Sequence, residues 1–414
     1  MANQFLTTAE ILFESLLVLK NNLELTRHIG RQYSTQFGVA GAKVGATVNA
    51  RKPPKYRGRY GNALDPEDIV ETPVPIVCDN LFGVDLEYTD VDLTLTMDNF
   101  RKRYIEPAVC RIANEVDKTA AAQYVNIYNF VGVPGTVPTD DEQYLNAGVK
   151  LDNTGTPRRG KFIRSMILSS QSQATLVHGL KGLFQKSDSI ARQYEEGEMG
   201  TALGWNFSMD QNIPTHVVGA LGGTPLVIGA GQTGASILTD GWTASISGVL
   251  KQGDCITFAN VYGITPQTAD ATGGGTSTGQ LQQFVVTADV DSDGTGAATV
   301  PISPSIVTSG AFQTVTVSPA DNAVILIFTS ASAYAAVSTK QNLGFHKDCF
   351  TLVTVDLEDV GGVDMMGRIS DADIGLAMRL VRAYDIRTNT RPTRLEMLWG
   401  NSTIYPEMGV RVQS

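Results

Sequence analysis

Between residues 221 and 340 the chain carries two cations, Lys251 and Lys340, and seven acids, Asp240, Asp254, Asp270, Asp289, Asp291, Asp293 and Asp321. With two cations in 120 residues, this block makes few salt bridges of its own. Its apolar runs at 226–228, 255–262, 284–290, 312–317 and 323–328 are rich in β-branched residues and alternate with Gly, Thr, Ser and Asp clusters, with no stretch of helical period. Short strands at that spacing predict a small barrel or sandwich. Lys251-Gln252-Gly253-Asp254 reads as a turn entering a strand, and 273–279 as a flexible exposed loop.

The flanking sequence is charged more normally, so two kinds of polypeptide are joined in one chain of 414 residues. That length suggests two or three domains at roughly 150 residues each. A net charge of −10 argues against a protein whose main work is gripping phosphate, which needs clustered Lys and Arg. No apolar run reaches the 18 or so residues that cross a bilayer, and residues 1–10 lack the design of a signal peptide. Four scattered cysteines (Cys78, Cys110, Cys255, Cys349) without a CxxC pair fit buried free thiols in a reducing cytoplasm.

Residues 5–19 place Phe5, Ala9, Leu12, Phe13, Leu16 and Leu17 near helical spacing, an amphipathic terminal helix that must dock on something. The Gly, Ala, Thr and Val rich segment after it reads as extended, so the whole predicts an arm. Arg51, Lys52, Lys55, Arg57 and Arg59 then fall within nine residues beside Pro53-Pro54 and Gly58, followed by Asp65, Glu67, Asp68 and Glu71. This is the composition of a protruding loop or hairpin. Short β-prone runs occupy 74–97. Ile105, Val109, Ile112, Val116, Ala120, Tyr124 and Ile127 recur at spacings of four and three, which predicts a helix of about 23 residues and roughly 35 Å. The stretch 132–160 reads as polar loop, 162–168 as a buried strand, 170–184 as a one-sided helix, and 196–214 as another loop. Leu376, Met378 and Leu380, a turn at 388–392, and the run 395–398 predict a closing antiparallel hairpin. The order is that of an α+β parent domain with the β block as an insertion.

Several motifs tempt a chemical reading. Gly229-Ala230-Gly231-Gln232-Thr233-Gly234 matches G-x-G-x-x-G after an apolar run, but Asp240-Gly241 breaks the chain before the helix that a dinucleotide site requires. The same glycines lack the lysine of a phosphate loop. No G-x-S-x-G, HxxxH or HExxH spacing occurs. Asp289, Asp291, Asp293 and Gly294 begin a calcium loop, but the twelfth position is Val300 where a glutamate is needed. No catalytic residue, cofactor or metal is therefore expected. The cations at 51–59 have only Tyr56 and Tyr60 as aromatic company, which favours pairing with another subunit over nucleic acid.

In this order, arm, charged loop, spine helix, α+β domain and inserted β block, the chain resembles the major coat proteins of tailed double-stranded DNA phages, specifically the short-tailed P22 type. The residues that carry the resemblance are 250–261 (LKQGDCITFANV), Ala113-Asn114-Glu115-Val116 and Thr388-Asn389-Thr390-Arg391-Pro392. The resemblance implies an HK97-type fold: an N-terminal arm (1–49), an E-loop (50–80), a peripheral domain with the spine helix (81–160), an axial domain (161–222), a barrel-like β insertion domain (223–340) and a return at 341–414. It implies pentamers and hexamers in an icosahedral shell around DNA held without sequence-specific contact, a scaffolding protein, a portal protein, assembly in a bacterial cytoplasm and no membrane. Under it, Arg51, Lys52, Lys55, Arg57 and Arg59 would make intersubunit contacts, and Glu10, Glu14 and Glu24 would meet a basic scaffold. Nothing in the sequence supplies a partner for covalent cross-linking through Lys52 or Lys55. The rival readings are another structural phage protein, of the tail or a decoration, and a nucleotide-binding enzyme built on 229–234.

Overall fold

The structure, a computed structural model, describes residues 15–19, 22–31, 47–87 other than 63, 65 and 67, 105–158, 164–180, 200–268 other than 267, 274–371 and 376–414. They fall into two compact units, one drawn from Met1–Arg51, Pro73–Ala120 and Phe350–Ile404, the other from Lys52–Thr72, Ala121–Cys349 and Tyr405–Ser414.

The first unit is organised around helix α1, Glu106–Ala121. Its stripe Val109, Ile112, Val116 and Ala120 is buried, as the spacing requires. The helical run continues to Asn126, but Ala122–Asn126 tightens into a 3-10 turn, so the α-helical part is about 24 Å long at 1.5 Å per residue. Tyr124, Val125 and Asn126 are weak helix formers, and a 3-10 turn is a common way for such an end to close. The predicted closing hairpin is present: Leu376–Arg382 and Thr393–Thr403 pair antiparallel, with Leu380 opposite Leu395 and Arg379 opposite Glu396. Met365–Asp371, Phe350–Val355 and Asn80–Leu86 complete a five-stranded sheet. Trp399, fully buried, donates its indole N–H to Thr119 Oγ1 at 2.9 Å, which ties sheet to helix by a directional bond. Thr47–Lys52 and Thr72–Val77 form a separate two-stranded ribbon. The part of the β-prone stretch 74–97 beyond residue 87 lies outside the described residues.

The second unit holds two sheets. In the seven-stranded sheet the order is Phe130–Val131, Gly409–Gln413, Ser338–Phe345, Arg164–Leu168, Trp205–Met209 and Thr201–Ala202, with Thr215–Val217 also paired to Ser338–Phe345. Arg164–Leu168 is buried throughout, as expected of the run 162–168. Ser169 Oγ accepts the Ser172 N–H at 3.3 Å and caps the predicted second helix, Ser170–Leu180.

Two expectations fail here. The stretch read as polar loop contains the helix Glu142–Asn153, whose Tyr144, Ala147 and Leu151 are buried against this sheet. The loop expected at 196–214 contains the strand Trp205–Met209, which runs parallel to Arg164–Leu168.

The charge-poor block supplies all strands of a six-stranded sheet, in the order Ile325–Ile327, Cys255–Ile264, Ser277–Val286, Ala298–Ile306, Gly234–Trp242 and Gly223–Val227. Its two edges meet: Leu226 bridges Val324, and the Val227 N–H donates to the Ala323 carbonyl at 3.1 Å. The enclosed core includes Ile237, Ile256, Phe258, Phe284, Val300 and Ile325. Strands Gly234–Trp242 and Ala298–Ile306 were not among the expected runs, and 312–317 forms only an isolated bridge, Gly263 to Val315. Gly229 and Gly231 take φ of 75° and 79° in the turn between two antiparallel strands, where a dinucleotide site would need a helix.

Gly400 lies against the backbone of the ribbon, and a Cβ there would fall 2.0 Å from the Val77 carbonyl oxygen. Gly400→Ala should therefore destabilise the chain by about 1–3 kcal/mol, read as a lower denaturant midpoint at unchanged slope. An unchanged midpoint would mean that ribbon and sheet are not in this contact.

Candidate functional site

Three features are candidates for function. The first is the loop carried on the two-stranded ribbon. Between Lys52 and Thr72 the described backbone has no strand pairing beyond an isolated bridge residue and no helix, and nearly every described side chain from Tyr56 onward is exposed. Tyr60 is 89%, Leu64 83% and Ile69 69% exposed, with Tyr56 and Val70 half so. A segment of this size that shows five large apolar side chains to solvent has no core of its own. Arg59 turns back to the Gly61 carbonyl and stays exposed, while Lys55 and Arg57 are half-buried. Lys52 is engaged within its own chain: its ammonium lies 5.3 Å from the Tyr405 ring centroid. Burial pushes its pKa down while Glu407 opposes that shift.

The second feature is the segment 22–31. Asp117 on α1 is buried and accepts the Glu24 and Thr26 N–H groups at 2.9 Å each, and the Thr26 hydroxyl as well. Gly30 bridges Thr351. Leu19, Leu23, Leu25 and Ile29 are buried within the chain. The end of the expected arm is therefore docked on its own unit instead of standing free, because one carboxylate can satisfy two adjacent backbone donors. Glu24 is half-buried there; Glu10 and Glu14 lie outside the described residues.

The third feature is a buried polar hub that sequence reading missed. Asp254 Oδ1 meets His216 Nε2 at 2.8 Å, and His216 Nδ1 meets the Tyr124 hydroxyl at 3.1 Å. Asp254 Oδ2 accepts the N–H groups of Lys251 (2.8 Å) and Gly219 (3.1 Å). Because the carboxylate only accepts, Nε2 carries the proton facing it. Arg411, 0% exposed, donates to the Gly253 carbonyl at 2.8 Å and to Cys255 Sγ, with its guanidinium 5.7 Å from the Tyr124 ring centroid. Burial pushes the Cys255 thiol up to about 11, so it stays protonated at neutral pH. A hydroxyl, imidazole and carboxylate in line can activate an oxygen nucleophile in an open cleft. Here all three side chains are buried, and burial raises the Tyr124 pKa further from reactivity. The hub holds elements together.

A family model described as "P22 coat protein - gene protein 5" matches residues 1–413. The chain belongs to the P22 coat protein family. As a coat protein it is a structural subunit that forms a phage shell. No curated protein matches it significantly. Solved structures that the chain is similar to include the capsid of Ralstonia phage GP4 (7% identity, TM-score 0.47, covering 94% of this chain and 88% of that one), Mycobacterium phage Che8 (11%, 0.44, 94% and 90%) and the capsid of the Helicobacter pylori bacteriophage KHP30 (11%, 0.44, 94% and 89%). At those identities and scores they add no weight, and the assignment rests on the family match.

For a coat protein the surfaces that matter are those that meet other copies. The structure gathers the predicted cations at one end of the exposed loop, with Lys52 withdrawn onto Tyr405. The acids of the half calcium motif bond to turns: Asp289 accepts the Gln252 N–H, Asp291 that of Gly248 and Asp293 that of Thr295. Among the described residues no group of three metal-ligating side chains is placed to hold an ion. No described helix is long and apolar enough to cross a membrane. The four cysteines are free, and Cys78, Cys255 and Cys349 are buried.

Removing the Asp117 carboxylate leaves two backbone donors without their acceptor. Asp117→Ala should cost about 2–4 kcal/mol and open 22–31 to trypsin at Arg27 and Arg31, whereas Asp117→Asn, which keeps one acceptor, should cost less. Equal trypsin resistance in the wild type and the alanine variant would show that Asp117 does not hold the segment.

Proposed function

We propose that this coat protein builds an icosahedral shell of pentamers and hexamers around double-stranded DNA, with an HK97-type division of labour. In this reading residues 1–49 form the arm, 50–80 the E-loop, 81–160 the peripheral domain, 161–222 the first part of the axial domain, 223–340 a barrel-like insertion domain, and 341–414 the axial and peripheral return with the C-terminus. The observation that carries it is the loop at 53–71: cations, then acids, with exposed Tyr60, Leu64 and Ile69 and no core. Such a loop gains apolar burial only on another copy, and interfaces of about 1,600 Å² supply that burial. Arg51, Lys55, Arg57 and Arg59 then contribute charge pairing at a neighbour, and Lys52 anchors the base of the loop.

A closed sheet confined to Gly223–Ile327 supports the insertion-domain reading, since its strands pair with one another. The net charge of −10 suits a wall that surrounds DNA without adhering to it. Assembly in the host cytoplasm would involve an internal scaffolding protein, met by Glu10, Glu14 and Glu24, and a portal at one vertex.

Electron microscopy of the purified protein, with and without a scaffolding protein, tests the reading. Closed icosahedral particles or their pentamers and hexamers are expected; tubes, fibres or isolated trimers would move the protein to the tail or decoration class. Separately, a variant in which 224–338 is replaced by a short linker should keep the helical circular dichroism of the parent but assemble poorly or inaccurately. Complete loss of the helical signal would defeat the insertion reading.

A further inference from the structure

We propose that Tyr124, His216, Asp254 and Arg411 are positioning residues that lock the six-stranded sheet in one setting on the seven-stranded sheet, and that this setting determines how uniformly the shell closes. The inference rests on the insertion reading above and adds a device to it. The hub lies at the root of the β block. His216 and Gly219 belong to the stretch that leads into it, and Thr339 and Gln341 to the strand that leads out. Asp254 directly precedes and Cys255 begins the ten-residue strand Cys255–Ile264, and Arg411 and Gln413 lie on Gly409–Gln413 of the seven-stranded sheet.

Apolar packing also joins the two sheets, since Tyr128 and Phe130 belong to the core of the β block. Packing of that kind is non-directional and tolerates rotation. The hub does not. Arg411 reaches the Gly253 carbonyl and Cys255 Sγ from across the root, and Asp254 takes His216 and two backbone N–H groups from both sides of it. Gln283 acts beside it as a strand mimic, accepting the Phe130 N–H at 2.9 Å and donating to the Phe130 carbonyl at 3.0 Å. Gln341 and Gln413 exchange reciprocal amide bonds of 2.6 and 3.0 Å. Gly253 sits at φ +97° where a Cβ would meet His216 at 3.3 Å, so the turn closes directly onto the imidazole. Rotating the block by a few degrees would break several of these bonds at once and strand a buried carboxylate and a buried guanidinium. Within a shell, a block free to swing would offer its contacts at variable angles to every neighbour.

The test uses the full-length chain with Tyr124→Phe, which removes one hydroxyl, and Arg411→Met, which keeps much of the side-chain length. Hydrogen exchange of the unassembled protein is expected to rise about tenfold at 215–219 and 338–341, while 164–168 and 258–262 keep wild-type protection. Shells assembled from the same variants should show mixed diameters or blurred density confined to 223–327. Wild-type exchange with uniform, sharply resolved shells would overturn the proposal. So would loss of protection throughout the chain in both variants, because the hub would then be a general folding element with no separate effect on orientation. Neither result bears on whether 223–340 is an insertion, which the deletion variant decides.

Discussion

A guanidinium withdrawn completely from water has to find its partners inside the protein, and three separated stretches of chain surround Arg411. The Gly253 carbonyl, Cys255 Sγ and, more distantly, Gln341 Oε1 receive its terminal N–H groups, while the Tyr124 ring covers its face. Its Nε has no acceptor among the described residues, which marks how constrained the arrangement is. The nearby buried acid, Asp254, is met by three donors of its own. Removing a partner from either buried group leaves a polar atom without its hydrogen bond, which costs about 1–3 kcal/mol. On the proposal above, this polar root sets the angle between the two sheets.

The loop at 53–71 represents the opposite solution. It has cations, acids and apolar side chains, but Tyr60, Leu64 and Ile69 stay exposed among the described residues. Ordering a loop costs roughly 1–2 kcal/mol per residue in backbone freedom, and a loop without a core cannot recover that by itself. In the shell proposed above, neighbouring copies would supply the missing surface. Lys52, half-buried over Tyr405, marks where the self-sufficient part of the chain stops.

Much of this architecture was legible in the residues. The four-and-three spacing from Val109 to Ala120 identifies the spine helix, and the alternation at Leu376, Met378 and Leu380 the closing hairpin. The family emerged from the order of the parts. What escaped notice did so for physical reasons. Glu142–Asn153 buries only Tyr144, Ala147 and Leu151, so its stripe is thin among polar neighbours and glycines. Trp205 and Phe207 alternate correctly, but glycines on their N-terminal side obscured the strand. Ala298–Ile306 contains Pro301 and Pro304, which normally argue against a strand inside a sheet. The hub was invisible because its members lie up to 287 positions apart, from Tyr124 to Arg411, and only folding brings them together. Asp254 reads from the sequence as a turn residue, which it is, and nothing in its local sequence signals that His216 and two backbone donors converge on it.

The docked segment at 22–31 modifies the picture of an arm without a home, since Asp117 fastens its root to the spine helix. Whether the coat protein is completed by its neighbours can be read from a reconstruction of the closed shell at side-chain resolution. Tyr60, Leu64 and Ile69 should each lose most of their exposed surface against an adjacent subunit, with Arg57 or Arg59 within 4 Å of a neighbour's carboxylate, the ordinary reach of an ion pair. A closed shell in which those three side chains still face solvent would contradict the account.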